Sequence, residues 1–188
     1  MIRAFGIAAF FVFIAEIGDK TQLVALLFAT RYKAMIVLAG VFVATLLVHL
    51  VSVGLGDAAG TVIPAPWIRV LSGAAFIAFG AWSFYGDKLD DEEGKVPEYR
   101  WGPLITVAAT FFVAELGDKT MLTTITIASE QRQFAAVWLG STLGMVTADG
   151  IAIAVARNVR TRLPEKWLRY AAGVIFIGSG ILTILSAV

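Results

Sequence analysis

Two stretches decide the fold: Phe11-Val12-Phe13-Ile14-Ala15-Glu16-Ile17-Gly18-Asp19-Lys20-Thr21 and, at an offset of 99, Thr110-Phe111-Phe112-Val113-Ala114-Glu115-Leu116-Gly117-Asp118-Lys119-Thr120. Each sets Glu-x-Gly-Asp-Lys-Thr inside an apolar run. Apolar helices often resemble one another by chance, but a shared charged hexapeptide is a different matter. The match resumes at an offset of 100, where Trp67-Ile68-Arg69 meets Trp167-Leu168-Arg169. Gly73, Phe76, Ile77 and Gly80 then meet Gly173, Phe176, Ile177 and Gly180. One inserted residue accounts for the change of offset. The chain reads as a duplication, with residues 1–85 as the first unit, 86–101 as linker and 102–188 as the second unit.

The 188 residues are 59 % hydrophobic and 15 % charged. Ordinary soluble domains run at roughly 45–50 % and ~25 %, so a soluble domain of this length could not cover its core. The charges also cluster: residues 86–101 carry nine and residues 157–169 carry six of the 29. The rest is long apolar stretches. With no cysteine, thiolate chemistry, Cys-ligated zinc and iron–sulfur clusters are excluded. The net charge of +1 argues against a nucleic-acid partner.

A membrane-spanning helix needs about 20 mostly apolar residues. Segments 4–29, 34–56, 67–85, 103–128, 134–156 and 167–187 qualify. The connections carry turn residues at Arg31-Tyr32-Lys33, Pro64-Ala65-Pro66 and Leu163-Pro164-Glu165. Arg3 before an apolar run imitates a signal peptide, but no small-residue cleavage site follows and Glu16 does, so a retained helix is expected. Three spans per unit is an odd number, so the second unit must enter the membrane from the opposite face. The expected fold is an all-α membrane protein of six transmembrane helices arranged as two inverted three-helix repeats. In that architecture a substrate site lies at the midplane between the halves.

Orientation follows from Lys and Arg in the loops. Lys20 and Lys119, inside spans, are set aside. One side has three (Arg3, Arg69, Arg132) and the other ten (Arg31, Lys33, Lys88, Lys95, Arg100, Arg157, Arg160, Arg162, Lys166, Arg169). The second side is expected in the cytoplasm and both termini outside it, with Trp67, Trp101 and Trp167 as interfacial anchors. The acids of the linker suit a solvated cytoplasmic loop, with calcium sensing as the sharper alternative.

Glu16 and Glu115 fall near the centres of their spans. Ionisable groups there are costly and face the bundle interior or a wet cavity. On a continuous helix at ~100° per residue, Glu16, Asp19 and Lys20 share one face and Gly18 falls behind. That glycine serves close packing, or a local break that frees carbonyls as ligands. Together the two motifs carry four carboxylates and two lysines, a charge of −2 if all are ionised. One divalent cation or two protons neutralise it, and competition for the same oxygens couples the two flows. Oxygen ligands suit hard ions such as calcium, magnesium and manganese. Gln22 and Met121 differ between the halves; a thioether there favours manganese over calcium, unless Met121 only packs. The bland alternative for the motifs is a set of salt bridges, Glu16 or Asp19 with Lys119 and Glu115 or Asp118 with Lys20. His49 and Asp149, at an offset of 100, are candidate proton relays or merely satisfied interior groups. Thr147, Ser141 and Ser52 are expected to bond between helices.

The two heptads Ala15–Thr21 and Ala114–Thr120 resemble the paired Glu-x-Gly-Asp-Lys/Arg-Ser/Thr signature of uncharacterised protein family 0016. That family of small calcium/manganese transporters includes Golgi cation/proton antiporters and bacterial manganese exporters. The resemblance spans nearly the whole chain. It implies transport of manganese, and of calcium as an alternative, against protons. It makes Glu16, Asp19, Glu115 and Asp118 the metal carboxylates. Thr21 and Thr120 take the hydroxyl position and Lys20 and Lys119 the basic position.

The expectation is therefore a non-enzymatic carrier without a prosthetic group. Its partners are divalent cations, protons and the lipid bilayer, with a homo-oligomer as a further partner and the plasma (inner) membrane as its place. Lys20, Thr21, Gln22, Lys119, Thr120 and Met121 form the auxiliary cation-site or gating set. The competing readings are an oligomeric cation channel, an intramembrane hydrolase built on paired carboxylates, and a scaffold whose charges only fix helix register.

Overall fold

Apolar runs punctuated by a few turn residues become helices here and nothing else. The computed structural model describes residues 1–85, 102–158 and 165–187. Among these lie eight helices: α1 (Ile2–Glu16), α2 (Lys20–Arg31), α3 (Ala34–Val62), α4 (Ala65–Tyr85), α5 (Pro103–Glu115), α6 (Lys119–Gln131), α7 (Phe134–Asn158) and α8 (Glu165–Leu185). The acidic linker, Trp101 and Leu163-Pro164 lie outside the described residues. Trp67 and Trp167 sit exposed in the first turns of α4 and α8.

The expected second, third, fifth and sixth segments each became one helix. The first and fourth did not. Each is cut at its hexapeptide, because Gly18 and Gly117 take φ of +74° and +81°. That left-handed backbone ends a right-handed helix, and glycine reaches it without a Cβ clash. The shared-face geometry expected for Glu16, Asp19 and Lys20 is thereby replaced. Glu16 is the last residue of α1, Asp19 the N-cap of α2, and Lys20 its first residue. Glu115, Asp118 and Lys119 repeat this at α5 and α6.

Helices α3, α4 and the Phe134–Val155 stretch of α7 are long and apolar enough to cross a membrane. The exposed surface agrees: Leu47, Val51 and Leu55 of α3, Leu139 and Leu143 of α7, and Ile181 and Leu182 of α8 all point outward. Meanwhile Glu16, Asp19, His49, Glu115, Lys119 and Asp149 are buried. Apolar outside and charged inside is the reverse of a soluble domain and suits a lipid solvent.

Packing crosses between the two units. α1 lies along α7, α5 along α3, α3 against α7, and α4 along α8. The α4–α8 seam is built on the glycines that the duplication shares. A Cβ on Gly73 would stand 2.6 Å from the Gly180 carbonyl oxygen, and one on Gly80 2.7 Å from that of Gly173. The backbones touch because no side chain intervenes. Ser52, Ser141 and Thr147 do not bond between helices as expected. Their hydroxyls donate to carbonyls of their own helices, Val48, Trp138 and Leu143, one turn back.

Gly73→Ala should therefore separate α4 from α8 and cost about 1–3 kcal/mol, as overpacking does. Gly178→Ala, with open space around the new methyl, should be neutral or mildly stabilising. Thermal unfolding of both variants in detergent checks the contrast.

Candidate cation site

The two helix breaks meet in the interior. The Thr21 hydroxyl donates to Glu16 Oε1 at 2.7 Å, within the first unit. The Thr120 hydroxyl reaches Glu16 Oε2 from the second unit at 3.3 Å. Lys119 pairs with Asp19 across the units at 3.2 Å, both side chains buried. Thr21 also lies beside Glu115, the counterpart of the Thr120–Glu16 contact. Glu16 senses the charges of Asp149, Glu115 and Asp19, and Glu115 those of Asp118, Asp19 and Asp149. One limb of the salt-bridge alternative, Asp19 with Lys119, is thus present. It accounts for Asp19.

Helix polarity sharpens this. Glu16 and Glu115 sit at the C-terminal ends of α1 and α5, where the helix dipole is negative and an anion is unwelcome. Asp19 sits at the favourable N-terminus of α2, and its Oδ1 accepts from the Lys20 backbone N–H at 2.7 Å. The two glutamates therefore want a positive charge nearby, and Lys119 is engaged with Asp19. Both carboxylate oxygens of Glu115 and both of Asp149 are buried without a hydrogen-bond donor. A buried acid without a donor is expensive unless it is protonated or binds a cation.

The four expected metal carboxylates are within charge range of one another but do not form a finished coordination shell. Among the described residues no three Asp, Glu or His side chains stand close enough to hold one ion. Of the two relay candidates, Asp149 joins the carboxylates. His49 is buried with both ring nitrogens unpartnered and is not among the charges that the glutamates or Asp149 sense.

Gln22 and Met121 do a job not foreseen from sequence. Gln22 Oε1 accepts the Gly18 N–H at 3.1 Å, and Met121 Sδ accepts the Gly117 N–H at 3.2 Å. Each plugs the amide that its helix break exposes, four residues upstream. Also unforeseen, the Thr45 hydroxyl of α3 donates to Met145 Sδ of α7 at 3.2 Å, between positions 100 apart.

The halves are not equivalent. The Arg169 stem lies over Gly18, so a Cβ there would meet Arg169 Cγ at 2.8 Å; Gly117 has nothing within 4 Å. Arg69, the repeat partner of Arg169, instead donates to the Ser186 carbonyl at 2.9 Å. A cavity of about 850 Å³ opens where α1, α4, α6 and α8 meet, lined by Arg3, Arg69, Glu130 and Arg132 and floored by Phe11, Phe76 and Ile127. The floor belongs to an aromatic cluster, Phe11 and Phe76 stacked at 5.1 Å and Phe176 5.5 Å from Phe11.

The family model described as "divalent cation/proton antiporter GDT1" matches residues 4–91 and 103–188, both units of the duplication. The chain belongs to the GDT1 family. A candidate manganese exporter of Vibrio cholerae is 32 % identical over 173 residues, covering 90 % of this chain and 84 % of that protein. A GDT1-like protein of Synechocystis is 28 % identical over 195 residues, 94 % of each chain. GDT1-like protein 5 of Arabidopsis thaliana is 26 % identical over 212 residues. No solved structure matches the chain at a significant level. As a GDT1 member the protein is a membrane transporter of divalent cations and not an enzyme, in line with the resemblance its hexapeptides carry.

Both break glycines hold a left-handed φ, so Gly117→Ala should cost about 1–2 kcal/mol. Gly18→Ala should cost more, because its methyl must also displace the Arg169 stem. Chemical or thermal unfolding of the two variants in one detergent should rank Gly18→Ala below Gly117→Ala; the reverse order would contradict the packing asymmetry.

Proposed function

We propose that the protein exports manganese, with calcium as alternative cargo, in exchange for protons. The carboxylates of Glu16, Asp19, Glu115 and Asp118 are the exchanging ligands. The observation that carries this is the set of donor-free buried oxygens on Asp149 and on Glu115, which ends a half-helix at its negative pole as Glu16 does. Groups in that position must hold either protons or a cation. Discontinuous helices whose ends converge between two units are how many secondary transporters build such a site.

The exchange follows from charge. In one state two protons occupy Glu16 and Glu115. A hard divalent cation entering from one side takes the same oxygens, with Thr21 and Thr120 hydroxyls as neutral ligands, and the protons leave. Neutralising a doubly charged ion's worth of carboxylate takes two protons, so exchange of two protons per cation is the simplest balance. Lys119 pairs with Asp19, and Lys20 serves the second motif in the same way. Asp149 adds a carboxylate that passes protons to the glutamates.

Residues 1–85 and 102–188 act as two inverted repeats of three spans, each first span broken at its hexapeptide. Support comes from the two sequence offsets, from the reciprocal packing of α1 on α7 and α5 on α3, and from the identical place of both breaks. Access alternates as the units rock. The cavity walled by Arg3, Arg69 and Arg132 is the outward vestibule, with both termini outside an inner membrane whose proton gradient drives export. The apolar floor beneath it separates the site from water, as a carrier requires and an open channel does not.

Reconstituted in liposomes, the protein should show manganese-dependent proton movement. Glu16→Gln and Asp118→Asn should each abolish it. Wild-type flux in either variant would reject the carboxylate site, and single-channel currents would reject the carrier.

A further inference from the structure

Helix α6 carries a feature that the exchange site does not use. At 3.6 residues per turn, Thr120, Thr123, Thr124, Ile127 and Glu130 fall along one side of it. The first four are buried. Threonine inside a helix normally donates to a carbonyl one turn back. Thr124 and Thr126 do so, to Thr120 at 3.0 Å and Leu122 at 2.9 Å. The Thr123 hydroxyl, fully buried, has no partner. A buried hydroxyl left unbonded is costly, so its position calls for an occupant.

Two placements say what the occupant is. Inward, Thr123 lies about one turn from Thr120, whose hydroxyl touches Glu16. Outward, it lies about 6 Å along the axis from Ile127, which floors the 850 Å³ cavity. Glu130 stands in that cavity wall, beside Ser72 and in charge range of Arg69, with Oε1 buried and unpartnered. Hydroxyl and carboxylate oxygens are ligands for a hard cation. The matching side of α2, at the offset of 99, reads Thr21, Val24, Ala25, Phe28 and Arg31. It has no hydroxyl beyond Thr21, it buries Val24, Ala25 and Phe28, and it ends in a cation.

We propose that α6 provides a one-sided path for the divalent cation between the central carboxylates and the vestibule, with the Thr123 hydroxyl as an oxygen ligand on it and Glu130 as the carboxylate at its mouth. Ile127, with Phe11 and Phe76, is the layer that parts to let the ion through. The α2 side carries no such stepping oxygen, so the two units, alike in their hexapeptides, differ in how they pass the ion on. This inference rests on the exchange reading above and specifies the ion's route to one face.

The test uses the full chain in liposomes carrying a pH-sensitive dye, with manganese chloride as the probe. Thr123→Val keeps the shape and removes the oxygen; it should lower manganese-driven proton movement about tenfold, the equivalent of ~1.4 kcal/mol. Thr123→Ser, which keeps the oxygen, should stay near wild type, and so should Val24→Thr at the mirror position. Glu130→Gln should raise the half-saturating manganese concentration measured from the vestibule side. If wild type moves protons and Thr123→Val matches it, the path is overturned and the exchange reading stands. If Thr123→Ser falls as far as Thr123→Val, packing is the cause and the path is again overturned. An unchanged half-saturation in Glu130→Gln removes the proposed mouth. A silent wild type removes the exchange reading itself.

Discussion

Everything in this protein depends on a helix that is not allowed to continue. A chain crossing lipid must satisfy its own backbone groups, so an interruption is tolerated only inside the protein or against a water-filled cavity, and with substitutes for the lost bonds. Here the substitutes are local and sequence-encoded. Glycine takes the left-handed turn, aspartate starts the next helix, and a residue four places beyond the glycine, Gln22 or Met121, returns a side-chain acceptor to the exposed amide. The interruption places each glutamate at the negative end of a half-helix, deep in the molecule. From that one placement follow the unmet demand for positive charge, the cross-unit ion pair of Lys119 with Asp19, and the two threonine hydroxyls at Glu16.

The duplicated halves share this device but are caught in different poses. Arg169 covers the first break, while its counterpart Arg69 has turned to Ser186 and Glu130 and left the second break uncovered. The large cavity opens on the Arg69 side. Two copies of one motif thus stand in two environments within one conformation. The glycine seam of α4 with α8 gives the units a contact with little side-chain bulk.

Much of this was legible in the sequence, and what was not has a physical reason. The helical boundaries away from the motifs and the identity of the buried charges came from spacing and hydropathy, which burial enforces directly. The Lys119–Asp19 pair was among the pairings that charge counting allowed. The break itself stood only as one of two roles for Gly18, because glycine inside an apolar run serves close packing as readily as a turn. Asp149 and His49 looked equivalent by offset, yet only Asp149 reaches the carboxylates. That choice depends on helix rotation, which an apolar sequence hardly marks. Thr123 was not singled out, although it lies three residues from Thr120. The signal was the i, i+3 spacing along α6 in a half-helix whose start had to be known first. The four-carboxylate cage expected from the motifs is looser than a coordination shell, since side-chain distances are set by tertiary packing and not by spacing.

The central claim is that manganese and protons compete for the same buried carboxylates. Calorimetric titration of the purified protein with manganese, repeated in buffers of different ionisation enthalpy, counts the protons released per ion bound. The account predicts release of about two per manganese, the charge a divalent ion replaces, with release and binding lost together in Glu115→Gln. Manganese binding that releases no protons, or that survives unchanged in Glu115→Gln, would contradict it.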